Sequence, residues 1–157
     1  MSMNSLISVI YASRASEHFN EHEIPDLLKQ ARLANAGHEI TGMLLYIGGS
    51  FLQVLEGRPG IVDDVYAAIL RDKRHTQVTL IARDTIIERA YEGWTMNHKT
   101  LDPVEAGELI GEPDHFVSAA WVTQPDPARA TKLLSAASTR WQMEHRSGKY
   151  RTLGRTA

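Results

Sequence analysis

Thr41-Gly42-Met43-Leu44-Leu45-Tyr46-Ile47-Gly48-Gly49-Ser50-Phe51-Leu52-Gln53-Val54-Leu55-Glu56-Gly57 contains two apolar runs of strand length separated by two glycines. Thr41 to Ile47 and Phe51 to Leu55 are strand-like, and Gly48-Gly49 supplies the positive φ that a tight turn needs, so the stretch reads as a β-hairpin. Upstream, Leu6 to Ala12 (LISVIYA) is a β-branched apolar run, a strand buried on at least one face. Between them, Glu23 to Asn35 spaces Ile24, Leu27, Leu28, Ala31 and Ala34 helically, with Pro25 in the first turn and Asn35 and Gly37 as stop residues. Downstream, GRPG (57–60) is a turn, and Ile61 to Leu70 carries Ile61, Val65 and Ile69 on one helical face. Val78 to Ala82 and Gly93 to His98 read as two further strands. The order β-α-β-β-α-β-β predicts an α+β, ferredoxin-like sandwich with both helices on one sheet face.

Beyond Leu101 the pattern turns helical, with Pro103 to Ile110 and Pro127 to Met143 separated by an apolar stretch from His115 to Val122. These segments are expected to cap the second sheet face. No low-complexity linker intervenes, so the expectation is a core over residues 1–100 and a helical cap with a basic tail over 101–157, in one compact unit.

Composition narrows the function. The chain has 157 residues, 43% of them hydrophobic, and a formal charge of −2, which gives no global attraction to nucleic acid. It has no cysteine, which excludes disulfides, thiolate metal sites, a cysteine nucleophile and a thiol adduct to a cofactor. No apolar run is long enough to span a bilayer, and Met1 to Ile10 lacks a basic leader region, so a cytoplasmic location is expected. The charge is uneven. From Pro127 onward, Arg129, Lys132, Arg140, Arg146, Lys149, Arg151 and Arg155 face Glu144 alone, a local +6 that leaves −8 on the first 126 residues. Solvation of a helix face accounts for such a run, and so does a partner-binding surface.

Several residues sit oddly for a purely structural role. Alternation puts Gln53 on the same strand face as Phe51 and Leu55, where a primary amide needs partners for two donors and an acceptor. Tyr11 shares a face with Ile7 and Val9, so its hydroxyl is inside and needs a partner too. Asn35 suits a helix terminus, and Arg71-Asp72-Lys73-Arg74-His75 suits a helix end where cations complement the dipole. Trp94 and Met96 alternate onto one face of the last strand, as core residues would. No Walker loop, G-x-S-x-G, HExxH or dinucleotide fingerprint is present. His18 and His22 are four apart in an acidic loop, a poor metal site.

Taken in order, LISVIYAS (6–13), Asn35 ahead of ITGML (40–44), GSFLQVLEG (49–57), RDKRH (71–75) and GWTM (93–96) resemble the BLUF family of flavin-dependent blue-light sensors. The resemblance implies a non-covalent flavin, FAD or FMN with FAD preferred, between the two helices. It implies Tyr11 as electron donor and Gln53 as the amide bridging it to the flavin. Asn35 would hold the pyrimidine edge, Leu27 and Ile69 the two ring faces, and Asp72, Arg74 and His75 the ribityl side. Trp94 and Met96 would be the family's switching pair on the last strand, either one of them being the neighbour of Gln53 in the dark. Two departures stand out: Ala34 and Ala68 lack the polar and basic side chains some members carry, so ribityl or phosphate contacts are fewer.

The resemblance further implies a photosensory protein, not an enzyme, that signals through its cap by self-association or through an unknown protein partner. Trp121 and Trp141 belong to that cap. The alternative is a flavin-free, ferredoxin-like module that binds another small molecule. Tyr11, Asn35, Gln53 and Arg74 argue against it, since a flavin-free core gains from an apolar residue at position 53.

Overall fold

A computed structural model describes residues 5–156, with side chains through Arg146; Met1 to Asn4 and the side chains of Lys149, Arg151 and Arg155 lie outside the described residues. Five strands, β1 (Leu6–Ala15), β2 (Thr41–Ile47), β3 (Ser50–Gly57), β4 (His75–Ile86) and β5 (Asn97–Leu101), form one sheet in the order β4-β1-β3-β2-β5. Neighbours pair antiparallel except β5, which lies parallel to β2. The hairpin closes as expected: Ile47 pairs with Ser50 around Gly48 and Gly49, both at positive φ.

Helices α1 (Ile24–His38) and α2 (Pro59–Arg71) cover one sheet face. Ile7, Val9, Tyr11, Phe51 and Leu55 point into that layer with Leu27, Leu28 and Val62. The intervening residues Ile10, Ala12, Leu52 and Val54 face the opposite way, toward α3 (Pro103–Leu109), α4 (Ala120–Thr123) and α5 (Pro127–Thr156). Every residue of β3 is consequently buried. In α5, Ala130, Leu133, Leu134 and Ala137 repeat at helical spacing and form the seam against the sheet. Phe116, Trp121 and Val122 fill the apolar stretch between the cap helices. Arg129 pairs with Glu112 at 2.7 Å and also with Asp126, Arg140 approaches Glu105, and Lys99 pairs with Glu144 at 2.9 Å.

Besides longer spans for β1, β4 and α5 and the short added helix α4, three departures from the sequence expectation bear on the site. A 3-10 turn (Glu21–Glu23) precedes α1, and the helix runs on to His38; neither Asn35 nor Gly37 stops it. Glu39, at φ 56°, ends the helix by donating its N–H to the Asn35 carbonyl, which also accepts from Ile40. The RDKRH run does not sit at a helix end as a unit. Only Arg71 is helical, Asp72 to Arg74 turn, and His75 opens β4. The last strand starts at Asn97, not Gly93, so Trp94 and Met96 do not alternate on one strand face. Trp94 packs with the cap, 4.8 Å between ring centroids from Trp141, while Met96 lies in the α1/α2 layer. Arg89 to Met96 are held by β3 and β2 instead: the Glu56 carboxylate accepts from the N–H groups of Ala90 (2.7 Å) and Tyr91 (3.0 Å), and Gly42 donates to the Trp94 carbonyl.

Candidate functional site

A cavity of about 260 Å³ opens between α1 and α2 above β3. Leu27, Ala31 and Ala34 from α1 line one side; Val65, Ala68 and Ile69 from α2 line the other. Gln53 and Leu55 form the base, Asn35 one edge, and Gln30, Asp72 and Arg74 the mouth. The slot is thus apolar on two opposing walls, with polar atoms confined to its ends, a shape that suits a planar heteroaromatic ring. Ala34 and Ala68, read from the sequence as departures, both line it and leave room instead of contacts.

The base is a hydrogen-bond chain. Tyr11 Oη donates to Gln53 Oε1, and Gln53 Nε2 donates to Met96 Sδ at 3.2 Å. Gln53 is 6% exposed and Tyr11 1%, because β1 and β3 pair at this rung (Tyr11 opposite Gln53) and both side chains enter the helix-covered layer. Each amide has a second N–H, so Gln53 keeps one donor to offer the cavity. Asn35 behaves alike: its Nδ2 donates to the Thr95 carbonyl at 2.9 Å, leaving its oxygen and one N–H for an imide edge that presents both an acceptor and a donor.

Electrostatics keep these groups in defined states. Burial, and then the charge of Asp72 and the neighbouring Tyr66, raise the Tyr11 phenol far above the ordinary range, so it holds its proton at every physiological pH. Burial pulls His75 down as well. Burial alone would raise the Asp72 carboxyl, but hydrogen bonds and charge from Arg74 outweigh it and hold Asp72 below the usual carboxylate range. The Arg74–Asp72 pair is bidentate, at 2.7 Å for the closer contact, and Arg74 also reaches Gln30.

Of the residues singled out in the sequence, Leu27, Asn35, Gln53, Ile69, Asp72 and Arg74 line the cavity. Tyr11 and Met96 stand behind Gln53 and meet it through hydrogen bonds. Two fall elsewhere. His75 lies behind Tyr11, sharing a 2.8 Å hydrogen bond with Ser13 and packing on Phe51, because the strand begins there and turns the ring inward. Trp94 is on the cap side, as described. Gln30 and Val65 also line the cavity, and Arg32, outside it, donates to the Met96 carbonyl; the sequence offers none of the three as a site residue. Val65 and Gln30 share helical faces with Ile69 and Leu27, a signal present in the spacing, whereas nothing in the sequence distinguishes Arg32 from any exposed helix cation.

The family model of sensors of blue light using FAD matches residues 6–97, more than half the chain and all the elements that build this slot. This chain belongs to the BLUF family. A BLUF domain is a flavin-binding blue-light sensor, and the slot fits that group: opposed apolar walls, the Asn35 amide at one edge and the Gln53 amide at the base. Its relatives include the photoactivated adenylate cyclase subunit beta of Euglena longa, 35% identical over 98 residues, covering 62% of this chain and 11% of that protein. Subunit alpha from Euglena gracilis is 37% identical over 86 residues, covering 55% of this chain and 8% of that one. The BLUF chain thus spans about a tenth of the length of these curated relatives. Among solved structures, the dark state of BlrB, a BLUF protein, superposes with a TM-score of 0.68 at 27% identity, covering 87% of this chain and 99% of that one. Klebsiella pneumoniae BlrP1 with FMN and cyclic diGMP gives 0.58 at 30% identity, over 60% of this chain and 26% of that one.

Proposed function

We propose that this BLUF chain senses blue light through the Tyr11–Gln53–Met96 chain and transmits the signal through its cap to a partner in trans or to a second copy. When bound, flavin supplies blue-light absorption and a strong transient oxidant. Tyr11 is the electron donor. Because its phenol does not ionise at rest, electron loss is coupled to release of the hydroxyl proton toward Gln53 Oε1, the atom it already faces, and both electron and proton return to Tyr11 before the cycle's lasting state, which differs only in hydrogen bonding. Gln53 then re-pairs. Its amide is nearly isosteric end for end, so rotation or tautomerisation exchanges donor and acceptor without repacking Phe51 or Leu55. The Nε2 donor leaves Met96, and a new hydrogen bond at the cavity base accounts for a long-wavelength shift. The carrying observation is that Gln53, a buried amide, joins a buried phenol on one side to a soft thioether on the other, and also forms the cavity base.

Asn35 orients the bound ring, Leu27 and Ile69 exclude water from its two faces, and Asp72 with Arg74 closes the ribityl side. FAD is the resident flavin, with FMN also accepted. Arg74 is the cation among the described lining residues and is already neutralised by Asp72, so the number of phosphates carries little weight. Residues 1–100 act as sensor core and 101–157 as cap, in one unit located in the cytoplasm, with output by self-association or partner binding. Among the described residues no helix is long and apolar enough to cross a membrane. The test is optical. Purified protein should carry flavin and show a reversible red shift under blue light, and flavin released by denaturation should run as FAD. A colourless protein, or a flavin-loaded one with no light-induced shift, overturns the reading.

A further inference from the structure

Trp94, Thr95 and Met96 leave regular structure, yet their three successive carbonyls are all engaged. The Trp94 carbonyl accepts from Gly42 N–H, the Thr95 carbonyl from Asn35 Nδ2 and the Met96 carbonyl from Arg32 Nε, each at 2.9 Å. Gly42 also leaves room beside this segment: a Cβ there would collide with the Val54 carbonyl and stand 3.3 Å from Met96 Cε. Asn35 belongs to the cavity edge. Arg32 does not line the cavity; it sits three residues earlier on the same side of α1 and reaches across to the entrance of β5.

The Met96 thioether meets Gln53 through a weak acceptor on a side chain with three rotatable bonds, too soft a contact to fix the segment by itself. A charge-assisted hydrogen bond to the Met96 carbonyl is the stronger restraint, and it acts on the backbone from which the thioether projects. We propose that Arg32 is a positioning residue of the light cycle: by anchoring the Met96 carbonyl it keeps the sulfur against the Gln53 amide and governs how fast the lit state returns. The proposal rests on Gln53 being the switching amide. Return requires Gln53 to be received again by Tyr11 and Met96. An anchored acceptor stands ready, whereas an unanchored one has to be found.

The experiment uses the full chain loaded with flavin, with methyl-labelled methionine, comparing Arg32→Gln and Arg32→Lys with the parent. Flavin content and helical circular dichroism establish that each variant is folded. Arg32→Gln should slow dark recovery about threefold or more, the kinetic equivalent of one modest hydrogen bond. In the dark it should also broaden or double the Met96 methyl resonance. Arg32→Lys, which keeps a cationic donor, should restore most of both properties. An unchanged methyl line in Arg32→Gln overturns the anchoring whatever recovery does, and a disturbed line with parental recovery overturns the kinetic role. Gln53→Leu is measured alongside. If it retains the red shift, the switching reading fails, while the methyl line still reports on Arg32 independently.

Discussion

Gln53 can occupy an apolar layer because both ends of its amide have partners, and this also makes Tyr11 more than a core aromatic. Replacing Tyr11 by Phe keeps the ring but leaves Gln53 Oε1 without its donor. The expected result is a protein that still holds flavin, loses the persistent red shift, and unfolds about 1–3 kcal/mol more easily in denaturant titration in the dark. A normal photocycle in that variant would remove Tyr11 from its role. His98 offers a second residue-scale test. It follows the clamped segment, and burial together with the charges of Arg32 and Lys99 pushes it down to about 4. An unfolded histidine takes up its proton near 6.5, so across the interval from there to about 4 the unfolded state binds more protons and stability is lost as the pH is lowered. After allowance for partial solvent screening the loss is about 1–2 kcal/mol, and His98→Gln should flatten that part of a pH-dependent unfolding curve. At this scale Tyr11 and Gln53 were legible, since polar atoms on an apolar face need partners. Arg32 was not: its role depends on a carbonyl 64 residues away, and an exposed helix cation has no local signature.

Elements were legible where periodicity is strong and blurred where side chains override it. The hairpin and both helices of the core follow from turn residues and spacing. The end of α1 does not, because Asn35, which looks like a stop, is turned inward to Thr95 while Glu39 adopts the left-handed conformation that normally favours glycine. Glu39→Gly should therefore stabilise the fold by about 0.5–1 kcal/mol, the relief of αL strain less the added freedom of the unfolded chain, measurable as a raised denaturation midpoint. No gain would mean that α1 does not end as described. The start of β5 was misplaced for a related reason. Gly93 to Met96 contains good strand formers, but its carbonyls are taken by Gly42, Asn35 and Arg32 instead of a continuous ladder, so Trp94 and Met96 turn to opposite layers.

On the scale of the whole molecule, β3 is the partition between two chemistries: Phe51, Gln53 and Leu55 face the layer that holds the slot, while Leu52 and Val54 face the cap. The sequence conveyed both halves and the contrast between an acidic core and a basic C-terminal stretch, but not the route between them. That route runs around the sheet edge. Met96 touches Gln53, Trp94 two residues earlier packs on Trp141 of α5, and Lys99 on β5 pairs with Glu144 one turn further along the same helix. On the proposed reading, a change at Gln53 that released Met96 would reach α5 through backbone common to both contacts, without rearranging the buried seam at Leu133 and Ala137. Light should accordingly raise amide exchange in residues 91–97 and in α5 around Trp141, and leave the Ala130 to Ala137 seam protected. Trp141→Ala should remove the response in α5 while retaining it in 91–97. Equal exchange in light and dark at Trp141, in a sample whose flavin band shifts normally, would show that the signal leaves the slot by another path.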